Sequence, residues 1–345
     1  MKAGNKGSFL LGMIVLIGLM MLPGSAWARF AGGLGTGQDP WQIATPAQLD
    51  HVRDYLGSAN ADKHFVLIAD LDLGVAPYND GEGWLPIVTD PWNVQFYGQF
   101  DGRGHTIRNL FIARPTTSHM GLFGATKGAT IKNLVLVDVN VTGNDYVGAL
   151  AGQIEDYNNT PTIISNVSAM GAVTGAAPNG SQVGGLVGRN SLSTIRDSMS
   201  AAAVTGRDYV GGLVGYQQNQ GTVANSYATG TVIGKGNCVG GLVGYNNGNV
   251  IGSYAIGPVA GVNDVGGLVG RNESAGEIAN SYATGSYSGQ DNVGGLVGNN
   301  SGTITHSYAI GPIFSAATIT AAWSAPWARG LRDSGRGAVA GTAVR

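Results

Sequence analysis

Charge is scarce in this chain of 345 residues: Asp, Glu, Lys and Arg together make up 12% of it, and the formal net charge is −2. Nothing in the sequence clusters Lys and Arg, so nucleic acid and anionic membrane surfaces are not expected partners. Cysteine is scarcer still. Cys238 stands alone, which rules out an internal disulfide framework and leaves stability to packing. No HExxH zinc motif, GxSxG elbow or Cys/His nucleophile pair is present, and no cofactor or metal is expected. Long apolar runs are also missing, apart from Phe9 to Leu22 near the start.

That run is shorter than the ~20 residues needed to cross a bilayer. Lys2 and Lys6 precede it, Pro23 and Gly24 break it, and Ala26-Trp27-Ala28 offers a small-x-small cleavage site. Residues 1–28 read as an export signal, with the mature chain starting near Arg29 and no membrane span left after cleavage. The expected destination is the cell surface or the medium.

What the chain has in abundance is glycine, 58 residues of it, and most of it repeats. The hexapeptide VGGLVG occurs at Val183, Val210, Val239, Val265 and Val293, with looser copies at Val147 and around Gly121. The central leucines, Leu122, Leu150, Leu186, Leu213, Leu242, Leu268 and Leu296, are separated by 26 to 36 residues, a period typical of solenoids. Between them runs a second phrase, as in VANSYATGTVIG (223–234) and IANSYATGSYSG (278–289). Each repeat holds three short β-branched runs and no helical period. The expected fold is an all-β parallel β-helix, a β-solenoid with about three strands per coil and seven hexapeptide coils. At about 4.8 Å per coil these make a rod of ~35 Å.

A phosphate-cradling loop needs its glycines once, before a helix. Here they recur in every coil, so they are read as structural. Alternation cannot bury both Val265 and Leu268, which predicts a bend inside the hexapeptide. The slot before each leading valine holds Tyr146, Gln182, Tyr209, Cys238, Asp264 and Asn292, too varied a set for a reactive centre, so Cys238 is a bystander.

Two other slots are uniform. Asn133, Asn166, Asn225 and Asn280 share one with Asp197, Gly252 and His306; asparagine there predicts a structural ladder at a turn. A calcium ladder would require the aspartate-rich nonapeptide, which is absent. Tyr227, Tyr254, Tyr282 and Tyr308 fill the second. They predict a stacked strip that covers the sheet, or else a binding platform for sugar rings.

Ahead of the repeats, TPAQLDHVRDYL (45–56) is the one predicted helix, capped by Thr45 with Pro46 and Gln48 behind it and Leu49, Val52 and Leu56 on one face. Its expected job is to cover the open end of the solenoid core. Phe65 to Leu73 reads as a strand, and 97–112 as turn-linked strands of the first coils. Asp70, Asp72, Asp101 and His105 could be mistaken for catalytic groups, but Asp101-Gly102-Arg103-Gly104-His105 looks first like a tight turn. No catalytic residue is assigned.

With Gly185 to Gly188 and Gly267 to Gly270 as examples of Gly-Leu-hydrophobic-Gly, the chain resembles the GLUG-motif repeat proteins of bacteria. The run DPWQIATPAQLDHVRDYL, LIADLDL, WLPI (84–87) and GQFDGRGHTIRNLFI is similar to the leader that precedes such repeats, so the resemblance covers roughly residues 30–312. It implies exported, cell-surface or extracellular proteins, adhesins among them. It includes surface immunoglobulin-A peptidases in which the repeats accompany a separate zinc protease domain; this chain lacks that domain, and the repeat itself implies no catalytic residues.

The expected organisation is a signal peptide (1–28), a cap with the first coils (29–115), the repeat solenoid (116–312) and a non-repeat tail (313–345). The tail carries four arginines and two tryptophans. Codons for Ala321 to Ala325 read in a shifted frame can spell Gly-Gly-Leu-Val-Gly, which suggests a frameshift between about residues 311 and 317; a genuine basic tail is the alternative. The functional expectation is a non-catalytic surface scaffold or adhesin that binds a host protein, a glycan or another cell-surface component. The alternatives are a polysaccharide-active lyase or hydrolase and an inactive fragment of a longer surface protein.

Overall fold

The computed structural model describes residues 29–176 and 178–315; the expected signal peptide and nearly all of the tail lie outside them. Glycine, valine and asparagine at fixed spacing force the chain into short extended pieces. The strand pairings between successive coils are parallel, and the strands stack into sheets of 23, 5 and 7. The fold is a stack of coils about one hydrophobic core, a parallel β-solenoid.

Its depth is read along one column of strands, which begins at Trp41–Ile43 and continues through His64–Leu67, Gln99–Asp101, Thr130–Gly143 and Ile163–Gly175. It ends at Thr303–Thr305 after five further layers. The solenoid therefore has ten layers where the hexapeptides alone indicate seven, because the N-terminal segment builds coils without spelling the repeat. At ~4.8 Å per layer the rod is about 45 Å long.

Within a repeat coil the second phrase forms three short strands, for example Thr222–Ala224, Tyr227–Ala228 and Val232–Gly234. The hexapeptide adds two more, as in Asn263–Gly266 and Val269–Asn272, with Gly267 and Leu268 at the corner between them. That corner lets Val265, Leu268 and Val269 all reach the core with no exposure. Glycine is required there by space: a Cβ on Gly266 would collide with the carbonyl of Val269 in the same coil, and one on Gly267 with the carbonyl of Gly295 in the next.

The N-terminal helix is shorter than its sequence pattern. Pro46–Asp50 is α-helical and His51–Tyr55 tightens to 3-10 geometry. Gln48 N–H donates to Thr45 Oγ1 at 3.3 Å, while Gln48 Oε1 accepts from Ala44 N–H at 2.8 Å, one residue before the expected partner. Leu49 and Val52 are wholly buried in the core. Beside them Phe30 stacks on Trp41 at 5.0 Å, and Tyr55 and Phe65 pack against that pair, so the first coil ends on aromatic rings. The segment 65–73 is two strands, His64–Leu67 and Leu71–Asp72, because the chain turns a coil corner between them. At the other end the final strand spans Ile313–Ser315 and pairs with Tyr287–Gly289.

Candidate interaction surfaces

Stacking identical coils converts each sequence slot into a row along the rod, so the site-bearing side chains are best followed row by row. Tyr227, Tyr254, Tyr282 and Tyr308 lie in register. Their rings stack at 4.8, 4.9 and 5.3 Å with interplanar angles of 2°, 5° and 8°. Each ring is half-buried, and each inner ring has both faces covered by its neighbours. The strip thus presents ring edges and hydroxyls outward. Ile256 and Ile310, two residues beyond Tyr254 and Tyr308, are exposed alongside it.

The asparagine slot has left-handed backbone throughout, with φ between 47° and 57° at Asn133, Asn166, Asp197, Asn225, Gly252, Asn280 and His306. Only glycine and short polar residues adopt it cheaply. Asn166 Nδ2 donates to Asn133 Oδ1 at 2.9 Å, Asn133 Nδ2 to Asp101 Oδ1 at 3.0 Å, and Asn225 Nδ2 to Asp197 Oδ1 at 3.4 Å. Gly252 has no side chain to continue that chain of bonds toward Asn280.

A second, buried amide row has its signal in the sequence two residues after each hexapeptide, at Asn190, Gln217, Asn246, Asn272 and Asn300. Asn190 Nδ2 donates to Gln217 Oε1 (3.1 Å), Gln217 Nε2 to Asn246 Oδ1 (2.8 Å), Asn246 Nδ2 to Asn272 Oδ1 (2.7 Å) and Asn272 Nδ2 to Asn300 Oδ1 (2.7 Å). The first four residues have no exposure. A third row is serine: Ser198, Ser226, Ser253, Ser281 and Ser307. Each hydroxyl donates to the carbonyl two residues earlier and accepts a backbone N–H from the preceding coil at 3.1–3.2 Å. Most of the buried polar groups in these rows are thereby paired along the axis, Asn190 Oδ1 being an exception.

The carboxylates of the first coils serve turns. Asp70 Oδ1 accepts from Thr106 N–H at 2.9 Å and sits 3.1 Å from His105 Nδ1; these bonds, the backbone one foremost, lower its pKa. Asp72 Oδ1 accepts from Asn109 Nδ2 and Gly74 N–H, both at 2.8 Å, which lowers its pKa too. Asp101 Oδ1 accepts from Arg103 N–H at 2.9 Å and from Asn133. A general acid needs the opposite shift.

The third sheet carries outward residues that repeat reading missed. Arg189, Tyr216, Tyr245, Arg271 and Asn299 are in register. Tyr216 stacks on Tyr245 at 4.5 Å, and Tyr209 meets both edge-on at 5.2 and 5.7 Å. Arg271 lies 2.7 Å from Glu273 and 3.9 Å from Asp264. Cys238 is buried there, its Sγ 4.0 Å from Asp264 Oδ2; burial, reinforced by that carboxylate, pushes the thiol pKa up to about 12, the reverse of an activated cysteine. Farther toward the N-terminal end, His119 stacks on Tyr146 at 4.4 Å, Trp92 approaches His119 edge-on at 5.7 Å, and the Arg189 guanidinium sits 5.9 Å from the Tyr146 ring centre. Among the described residues no group of three His, Cys, Asp or Glu side chains could hold a metal ion, and no helix is long and apolar enough to cross a membrane.

Ten parallel layers with in-register rows define a β-solenoid repeat protein. The family model of the GLUG motif matches residues 206–233 and 261–287 of it. Halomucin of Haloquadratum walsbyi is 38% identical over 188 residues, 53% of this chain and 2% of that protein. A protein of Evansella cellulosilytica, provisionally described as a Gly-rich membrane protein, is 39% identical over 47% of this chain and 21% of its own length. The immunoglobulin A1 protease of Streptococcus sanguinis is 31% identical over 44% of this chain and 10% of its own length. The chain thus spans a fifth or less of these relatives, apart from the 21% matched in the Evansella protein. In fold, it matches a crystal structure from Bacteroides ovatus, provisionally called an immunoglobulin A1 protease, with a TM-score of 0.62 at 24% identity over 80% of this chain and 87% of that one.

Proposed function

We propose that the chain is an exported, non-catalytic surface scaffold of the adhesin kind, which holds a partner glycan or protein along the side of its rod. The observation that carries this reading is the uniformity of the rows: from coil to coil the same side chain recurs, as Tyr227 to Tyr308 does, and an extended repetitive face suits an extended partner. An enzyme instead gathers unlike groups with perturbed acidity in one cleft, whereas Asp70, Asp72 and Asp101 are occupied by turn N–H groups and amides. In this reading the tyrosine strip and the asparagine slot are structural spines, and residues 1–28 direct export.

The test is adsorption of the full-length chain to immobilised glycans and extracellular-matrix proteins, beside an assay for release of reducing or unsaturated sugar ends from the same glycans. Saturable adsorption without turnover supports the scaffold; turnover, or adsorption to nothing, overturns it.

A further inference from the structure

The tyrosine strip offers no free ring face along its length, and the Arg271 end of the third sheet is closed by its own carboxylates. The face around Trp92 differs on both counts. Trp92 is 74% exposed and stands 82° to the His119 ring, so it touches the protein by an edge contact. His119 is buried, its Nε2 3.2 Å from Gln153 Oε1, and it lies flat on Tyr146 with an interplanar angle of 13°. Burial lowers the His119 pKa, opposed by the hydrogen bond to Gln153 and reinforced by Arg189. Arg189 is half-buried, with its guanidinium over the Tyr146 ring. The amide of Gln218, in the orientation that satisfies both its ends, accepts from Arg189 Nε at 3.3 Å and from Nη2. Arg189 makes no ion pair among the described residues, although Arg196, Arg207 and Arg271 each do. Gln182, in the row between Tyr146 and Tyr209, has a buried Oε1 with no partner.

A guanidinium without a carboxylate and an exposed indole are linked through the Tyr146 and His119 stack. We propose that Trp92 and Arg189, held by that stack, form a binding site for a carboxylate-bearing sugar residue of a glycan. The carboxylate pairs with the planar guanidinium, and the indole offers a stacking surface for a sugar ring. An acidic peptide would satisfy Arg189 but find little else. Inner strands of the third sheet are paired on both sides, so they have no open edge for strand addition. The inference rests on the scaffold reading, since it names one partner class for it.

The experiment uses the full-length chain and measures affinity by calorimetry for sialyllactose, oligogalacturonate and a hyaluronan oligosaccharide. Lactose and methyl-esterified oligogalacturonate serve as neutral counterparts, and polyglutamate as the acidic peptide. The expected result is binding to at least one carboxylated glycan, loss of at least about tenfold in affinity on removal of its charge, and a similar loss in Arg189→Gln and in Trp92→Ala. Arg196→Gln, an arginine of the first sheet already paired with Asp197, keeps wild-type affinity, and unchanged circular dichroism and melting temperature confirm that Trp92→Ala and Arg189→Gln fold. Equal binding of polyglutamate, equal binding of the neutral sugars, or binding to none of the three carboxylated glycans overturns the proposal. If the chain adsorbs to a surface and both variants adsorb equally well, this site fails while the scaffold reading stands.

Discussion

The first coils and the repeat coils solve the same packing problem in opposite ways. Between Phe30 and Phe123 the core is filled by large rings: Trp84, Phe65, Phe96, Phe100 and Phe123 are all essentially buried, and several touch one another at 5.0 to 6.0 Å. From Val183 onward it is filled mostly by Val, Leu, Ile and Ala, with Tyr287 as a buried aromatic exception, and with polar amide and serine rows between. Irregular coils spread their stability over a few bulky residues, whereas regular coils repeat many small contributions and depend on register. Substitutions in the two regions therefore differ in what they damage.

The largest loss belongs to the irregular region. Trp84 has no exposure, and its Nε1 donates to Leu122 O at 3.2 Å. Trp84→Ala is expected to cost about 4 kcal/mol from the cavity and the unmade bond, measured by urea unfolding. A cost below about 1 kcal/mol would mean that the N-terminal coils tolerate voids as readily as loops do, and the contrast would collapse.

Next comes the polar spine of the regular region. Asn246 Oδ1 accepts from Gln217 Nε2 and from Gly248 N–H, and its Nδ2 donates to Asn272 Oδ1 and Gly248 O. Asn246→Leu leaves these groups buried without partners, at an expected cost of about 3 kcal/mol. The row also predicts coupling. Asn246→Ala and Asn272→Ala should combine non-additively by about 1 kcal/mol, since each removes the bond the other would lose; strict additivity in the double-mutant cycle would show that the amides act separately.

Much of this architecture is legible in the sequence, and what escaped did so for physical reasons. The hexapeptide period gives the solenoid, and the clash of Val265 with Leu268 in any alternating pattern gives the corner at Gly267. Coils ahead of the repeats were expected over residues 29–115, but their number was not readable, because coils filled by Phe and Trp need no glycine signature and Trp41–Ile43 and His64–Leu67 look like ordinary strands. The buried amide row was readable at Asn190, Gln217, Asn246, Asn272 and Asn300, but polar residues two positions after a glycine look like turn residues until the register stacks them. The Trp92 to Arg189 face was not readable at all, because it joins a loop, a coil corner and two layers far apart in the chain.

The smallest effect sharpens the comparison on electrostatic grounds. Asp70 and Asp72 have pKa values lowered by their hydrogen bonds, so their contribution is present above the unfolded carboxylate pKa of about 4 and is lost as pH falls through the lower folded values. Both carboxylates are exposed, which keeps the effect small. The amide and serine rows of the repeat coils carry no titrating group. Hydrogen exchange at pH 5 and pH 3, corrected for the intrinsic rate, should therefore show protection falling at Thr106 and Gly74 while Ser226 and Ser253 N–H stay protected. A parallel fall in both regions would mean that the rod opens as one unit, and that the division between irregular and regular coils, plain in their packing, has no counterpart in their stability.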